Sequence, residues 1–193
     1  MFQVDQLCFS YPHREPLFTN LTLVLSPTEN WLIQGENGSG KSTLVKLLCG
    51  KLKPESQAIS APPSSAYFYL PQEAQSRILG LNLAQDLELW QMAGLDTYEL
   101  KSHPLIEDFP PGYWELPLRE LSQGSKQAYM LAIALQHKQR YLILDEPYPA
   151  LDHRRRQILS QELANWRGLL LVSHYHPHIN FDHVLDLGRA KPC

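Results

Sequence analysis

The sequence predicts an α/β fold: a mostly parallel sheet with helices on both faces. Three observations carry this. Short apolar runs that read as strands alternate with helical patterns, the ordering that builds parallel sheets. The chain has 193 residues and is 44% hydrophobic, enough to bury a core in one domain with a subdomain at most. One stretch, from about 73 to 120, leaves the alternation, broken by Pro104, Pro110, Pro111 and Pro117, and reads as a small helical subdomain with loops.

The elements follow in order. Residues 2–9 (FQVDQLCF) and 21–25 (LTLVL) alternate or cluster apolar residues as strands do, and 30–34 (NWLIQ) is a third short strand. Residues 41–49 then space Leu44, Val45, Leu47 and Leu48 along one helical side, with Gly50 where a C-terminal cap belongs. Residues 65–70 (SAYFYL) form a strand, and 81–93 and 97–102 are helical. A helix rich in Ala, Leu and Ile covers 123–138. It is followed by a buried strand at 141–144, an amphipathic helix at 152–164, and strands at 168–172 and 183–187.

Composition excludes several classes. The net charge of −3 gives no basic excess for nucleic acid. Cys8, Cys49 and Cys193 are scattered and odd in number, which fits a reducing compartment and no disulfide framework. No run approaches the ~20 apolar residues of a membrane span. Met1 leads directly into strand-like sequence with no signal peptide, so a cytoplasmic protein is expected.

Residues 35–43 read GENGSGKST, between a strand and a helix. Gly35, Gly38 and Gly40 let a backbone turn its N–H groups inward on phosphate oxygens, with Asn37 and Ser39 in the same cradle. The helix start adds its positive end. Lys41 supplies a compact charge for the β- and γ-phosphates, Ser42 a hydroxyl for Mg²⁺, and Thr43 a further phosphate contact. The other half of such a site is a strand ending in a carboxylate, which YLILDEP at 141–147 provides. Ligands of open α/β sheets bind at the strands' carboxyl ends. Asp145 can therefore hold Mg²⁺, and Glu146 can act as general base on an attacking water. These residues alone define an NTP hydrolase or kinase of the P-loop type.

Further motifs narrow it. Residues 121–127 (LSQGSKQ) resemble the LSGGQ signature of ABC-type ATPases. Ser122 suits a helix N-cap, and Gly124 allows close backbone approach. Tyr11 in FSYP, Gln72 in YLPQ, Asp152 in ALD and His174 in LVSH fall in the family's order. A lone glutamine, histidine or aromatic would ordinarily be a loop or core residue; the set from 9 to 174 is what carries the resemblance.

The resemblance implies a P-loop NTPase with a mostly parallel core sheet, an N-terminal antiparallel β subdomain and an inserted α-helical subdomain. It implies one nucleotide-binding domain over 1–193, with the helical subdomain over roughly 73–135. By resemblance, Tyr11 stacks on adenine, and Gln72 touches Mg²⁺ or water and reports to a membrane partner. His174 lies near the γ-phosphate, and Ser122, Gly124 and Asp152 complete the site of a second ABC ATPase subunit. ATP and Mg²⁺ are the implied cofactors. An integral membrane transport subunit is the implied further partner, holding the chain at the inner face of the membrane.

Gln123 and Ser125 stand where the family has glycine and glutamine, and Tyr148 and Pro149 where Thr and Ser are frequent. Arg154–Arg156 read first as a solvated helix face. His174, His176, His178 and His183 read as a polar loop, since no cysteine or acidic cluster completes a metal set. Eighty residues between Lys41 and Leu121 leave no room for an inserted coiled coil, and only one cassette is present. A detached transport motor remains, similar in FSYP and in 71–88 to energy-coupling-factor (cobalt-type) ATPases. A haem-export cassette and a soluble switch acting on a protein are the alternatives.

Overall fold

The computed structural model describes residues 1–54, 56–175, 177 and 179–188. Two sheets organise it. The smaller is antiparallel, in the order β2-β1-β4, from β1 (Phe2–Ser10), β2 (Pro16–Leu25) and the two-residue β4 (Ile59–Ser60). The larger has five parallel strands: β3 (Asn30–Gln34), β5 (Tyr67–Leu70), β6 (Tyr141–Asp145), β7 (Leu169–Val172) and β8 (His183–Asp186), in the order β5-β6-β7-β3-β8. The predicted class is therefore the observed one.

Successive side chains of a strand point to opposite faces, so the parallel sheet divides the core in two. Leu32, Phe68, Leu70, Leu142, Leu144, Leu169 and Leu171 face one cluster. It is completed by α2 (Leu83–Met92), α3 (Gln123–Leu135) and α4 (His153–Ala164). Ile33, Tyr69, Ile143, Leu170 and Val172 face the other, completed by α1 (Lys41–Leu48) and the antiparallel sheet. The strands are apolar at nearly every position because both faces are covered.

Several boundaries move. The second strand begins at Pro16, not Leu21, because its first half pairs with β1 across an irregular register. Residues 64–66 form a 3₁₀ turn ahead of β5. The helix expected at 97–102 is only a 3₁₀ turn at Leu100–Ser102, after Thr97 spends its hydroxyl on the Gln91 side chain. α3 ends at Leu135, three residues early, where His137 leaves the helix to stack on Phe68 at 4.3 Å.

The helical region has a polar hub. Asp86, on α2, is almost fully buried. Its carboxylate accepts from the amides of Leu79 (2.6 Å) and Gly80 (3.2 Å), Trp90 Nε1 (2.9 Å) and the Tyr129 hydroxyl (2.9 Å). Four donors satisfy the charge and tie the 79–80 turn to α2 and α3. Leu79 and Leu81 beside that turn, and Met92 and Tyr98 beyond it in sequence, are each more than three-quarters exposed.

Candidate active site

Because β3, β5, β6 and β7 are parallel, their carboxyl ends share one edge of the sheet. From that edge emerge the glycine loop after β3, Gln72 after β5, Asp145 and Glu146 at the end of β6, and His174 after β7. They meet around a cleft of about 350 Å³. Tyr11, Asn37, Gly38, Gly40, Lys41, Ser42, Thr43, Gln72, Glu146 and His174 all line it.

The loop is built by backbone constraint. Gly40 caps α1 with φ 99°, and a Cβ there would sit 2.9 Å from the Phe18 ring and 3.0 Å from Leu17. Only glycine fits both the angle and the space. The first-turn amides of α1 lack intrahelical partners and carry the dipole's positive end. Together they make an anion cradle.

Lys41 is buried, and its ammonium has three acceptors. It donates to Gly35 O (2.9 Å), Glu36 O (3.0 Å) and His174 Nε2 (2.8 Å). With Lys41 as the donor, Nε2 of His174 is the acceptor. Glu146 Oε1 lies 3.3 Å from the same Nε2 but gets no proton from it. This oxygen is buried and without a hydrogen-bond partner among the described residues. Glu146 Oε2 accepts a long bond, 3.3 Å, from the His174 amide. Glu146 holds φ 50°, and its own amide donates to Val172 O at 2.9 Å.

Ser42 Oγ donates to Asp145 Oδ1 at 3.0 Å. Burial pushes the Asp145 carboxyl above the usual range, against the pull of the Ser42 hydrogen bond. A hydroxyl, a buried carboxylate and the nearby Gln72 are all hard oxygen donors. They fit Mg²⁺, which prefers such ligands. Tyr11 shares a 3.0 Å hydrogen bond with the Thr43 hydroxyl, so the ring edge is pinned to the start of α1.

The remaining predicted residues lie away from this cleft. Ser122 caps α3, accepting from the Ser125 amide at 3.0 Å, and is exposed. Its neighbour Gly124 makes a close approach within its own chain: a Cβ there would lie 2.7 Å from Ala150 O. Asp152 caps α4. Its carboxyl sits below the usual range, held there first by the Arg155 amide hydrogen bond.

Of the arginines, Arg154 stays exposed as expected, while Arg155 and Arg156 are half-buried, and all three have partners. Arg154 pairs with Glu107 (2.7 Å) and Asp108 (3.3 Å). Arg155 reaches Asp108 (2.7 Å), Asp152 (2.8 Å) and Leu105 O (2.9 Å). Arg156 donates to the carbonyls of Tyr148 (3.2 Å), Pro149 (3.2 Å) and Leu151 (2.9 Å). Each finds acceptors a turn or a domain away, which a helical count alone does not reveal. The cleft also takes in Arg14, Glu15 and Leu17, three residues for which the sequence offered no motif. Among the described residues no His, Cys, Asp and Glu cluster could hold a metal of its own; His176 and His178 lie outside them, as does Cys193. Cys8 is exposed and Cys49 buried, both free. No helix among the described residues is long and apolar enough to cross a membrane.

A glycine loop on a parallel sheet, facing a buried Asp-Glu pair, defines a P-loop nucleotide-binding domain. The sequence profile of the ABC transporter family matches residues 18–149. The chain belongs to that family, whose ATP-binding domains hydrolyse ATP. It is 34% identical over 98% of its length to the ATP-binding protein YdiF of Bacillus subtilis, spanning 30% of that protein. It is 31% identical over 93% of its length to the zinc import ATP-binding protein ZnuC of Pseudomonas savastanoi pv. phaseolicola, spanning 69% of it. A solved ATP-binding subunit of an ABC transporter superposes with a TM-score of 0.75 at 26% identity, covering 97% of this chain and 86% of that one.

Proposed function

We propose that the chain is the ATP-hydrolysing motor of an ABC transporter. Two ATPase subunits close around ATP, and closure drives a separate membrane subunit from the cytoplasmic face. One observation carries this reading. Lys41, Ser42, Asp145, Glu146 and His174 converge on one cleft while the signature Ser122 stands exposed elsewhere. Each chain thus offers a cleft and a separate exposed cap, and face-to-face pairing completes the site.

Lys41 exchanges its loop carbonyls and His174 for the β- and γ-phosphates. Tyr11 offers its ring to adenine, with Gly35, Asn37, Gly38, Ser39, Gly40 and Thr43 around the phosphates. Mg²⁺, when bound, supplies charge against the phosphates; Ser42, Gln72 and Asp145 are the residues that would hold it. Glu146 Oε1, buried and unpartnered, accepts the proton of the attacking water. His174, released by Lys41, donates a ring N–H to the γ-phosphate. The partner's Ser122, Gly124 and Asp152 region covers the nucleotide. Residues 73–120 carry the motion outward, and the exposed Leu79, Leu81, Met92 and Tyr98 suit an apolar membrane partner. The likeness to ZnuC favours uptake of a metal ion, with vitamin uptake of the energy-coupling-factor type as the sibling case.

Because YdiF is more than three times the chain's length, a second reading stands beside it: a cassette within an ATP-driven switch acting on a protein. Glu146→Gln tests the chemistry. Turnover should fall about a hundredfold or more, with an ATP-dependent dimer accumulating on size exclusion; a phosphorylated small molecule would instead identify a kinase. Capture of a polytopic membrane protein from detergent extracts supports the transporter, and its consistent absence supports the switch.

A further inference from the structure

We propose that Tyr175 is a positioning residue for hydrolysis: packed at a tilt against Tyr148, with the Arg156 guanidinium over its ring, it holds the segments carrying Glu146 and His174 in register. The inference rests on the ATPase reading above and adds a residue to it. Glu146 adopts φ 50°, a conformation a side chain rarely takes unless its surroundings impose it. Its direct link to the His174 amide is only a long hydrogen bond. The strand ladder sets the backbones, with the Glu146 amide on Val172 O at 2.9 Å; the residues that follow the pair add a side-chain link between the two segments.

Those residues meet. Tyr148, two positions after Glu146, is 1% exposed. Tyr175 directly follows His174, and the two rings lie 4.7 Å apart at 42°. The Arg156 guanidinium sits 5.8 Å from the Tyr175 ring centre while binding the carbonyls of Tyr148, Pro149 and Leu151. Ser160 Oγ donates to the Tyr148 hydroxyl at 3.3 Å. Two residues of α4 thus grip the segment after Glu146, and the aromatic contact passes that grip to His174. Tyr148, Arg156 and Tyr175 also wall a second cavity of about 410 Å³ that opens on Gln72, Glu146 and His174. Tyr148, where Thr is frequent, finds its use here.

Tyr175 is the clean probe, since it is 37% exposed and its loss opens no core. Tyr175→Ala should lower kcat about tenfold, with KM and fluorescent-ATP affinity within about twofold of wild type. Tyr175→Phe keeps the ring contact and should return to within about twofold of the wild-type rate. If the alanine variant melts early, Tyr175→Leu replaces it, keeping bulk without a ring. An unchanged kcat, a phenylalanine variant as slow as alanine, or a loss of affinity equal to the loss of rate overturns the proposal. A Glu146→Gln chain that hydrolyses ATP like wild type overturns the ATPase reading instead.

Discussion

The two sides of the parallel sheet treat their polar groups differently. On the α1 side, the cleft keeps its chemistry within reach of a ligand. Lys41 rests on carbonyls it can leave, and Glu146 Oε1 has no hydrogen-bond partner among the described residues. On the α3 and α4 side, Ser122, Asp152 and the three arginines each hold hydrogen bonds within their own chain while Ser122 and Asp152 stay exposed. The difference teaches that one side is prepared to change partners and the other to present a fixed surface. A half-site that binds and a half-site that caps need those opposite properties.

Lys41→Ala should strike the first side hardest. Losing a charge-assisted donor costs about 1.5–3 kcal/mol, so fluorescent-ATP affinity should fall tens-fold. An affinity within threefold of wild type would break the comparison. Gly124→Ala should do the reverse. Its Cβ would press on Ala150 O, costing about 1–3 kcal/mol of local strain. Turnover should drop several-fold while ATP binding by the isolated subunit holds; a parallel loss of binding would mean that the two sides are not separate. Gln123→Gly should raise turnover about two- to threefold by letting backbone face the partner's phosphate. An unchanged rate removes that reading of the altered signature.

Acid should find the second side first. Burial, aided by the charge of Arg140, lowers the His137 pKa from 6.5 to about 4. The native state therefore disfavours the proton. The neutral ring's stability is whole above pH 6.5 and is lost as pH falls from there through about 4. Melting temperature should drop a few degrees between pH 7 and 5 (~4–8 °C per kcal/mol for a small domain, less for a larger one). His137→Phe, which keeps the stack on Phe68, should flatten that drop; an equal drop in the variant would assign it elsewhere.

How much the sequence disclosed follows from distance along the chain. The glycine loop, the strand ending in Asp145-Glu146 and the N-caps Ser122 and Asp152 are local signals. Glycines, a lysine and capping side chains act on backbone within a turn or two. The convergence of Lys41, Ser42 and Glu146 on one cleft was likewise readable, because a parallel sheet sends strand ends to one edge; Gln72 and His174 were marked only by the family resemblance. Arg155 meeting Asp108 across 47 residues was not, nor was Tyr148 meeting Tyr175. Such pairs are set by how α4 settles on the sheet, and no periodicity encodes that. The 97–102 segment misled for a related reason: its helix-compatible residues are overridden by Thr97 bonding Gln91 and by the buried Leu100.

The division of the apolar core by the five strands has a practical consequence. Leu44 belongs to one cluster and Leu131 to the other, with no side chain common to both. Damage to one half should leave the other's melting contribution intact, so paired cavity mutations taken from opposite halves should sum. Evolution could then remodel the outward-facing helices for a new companion without retuning the layer beneath the triphosphate.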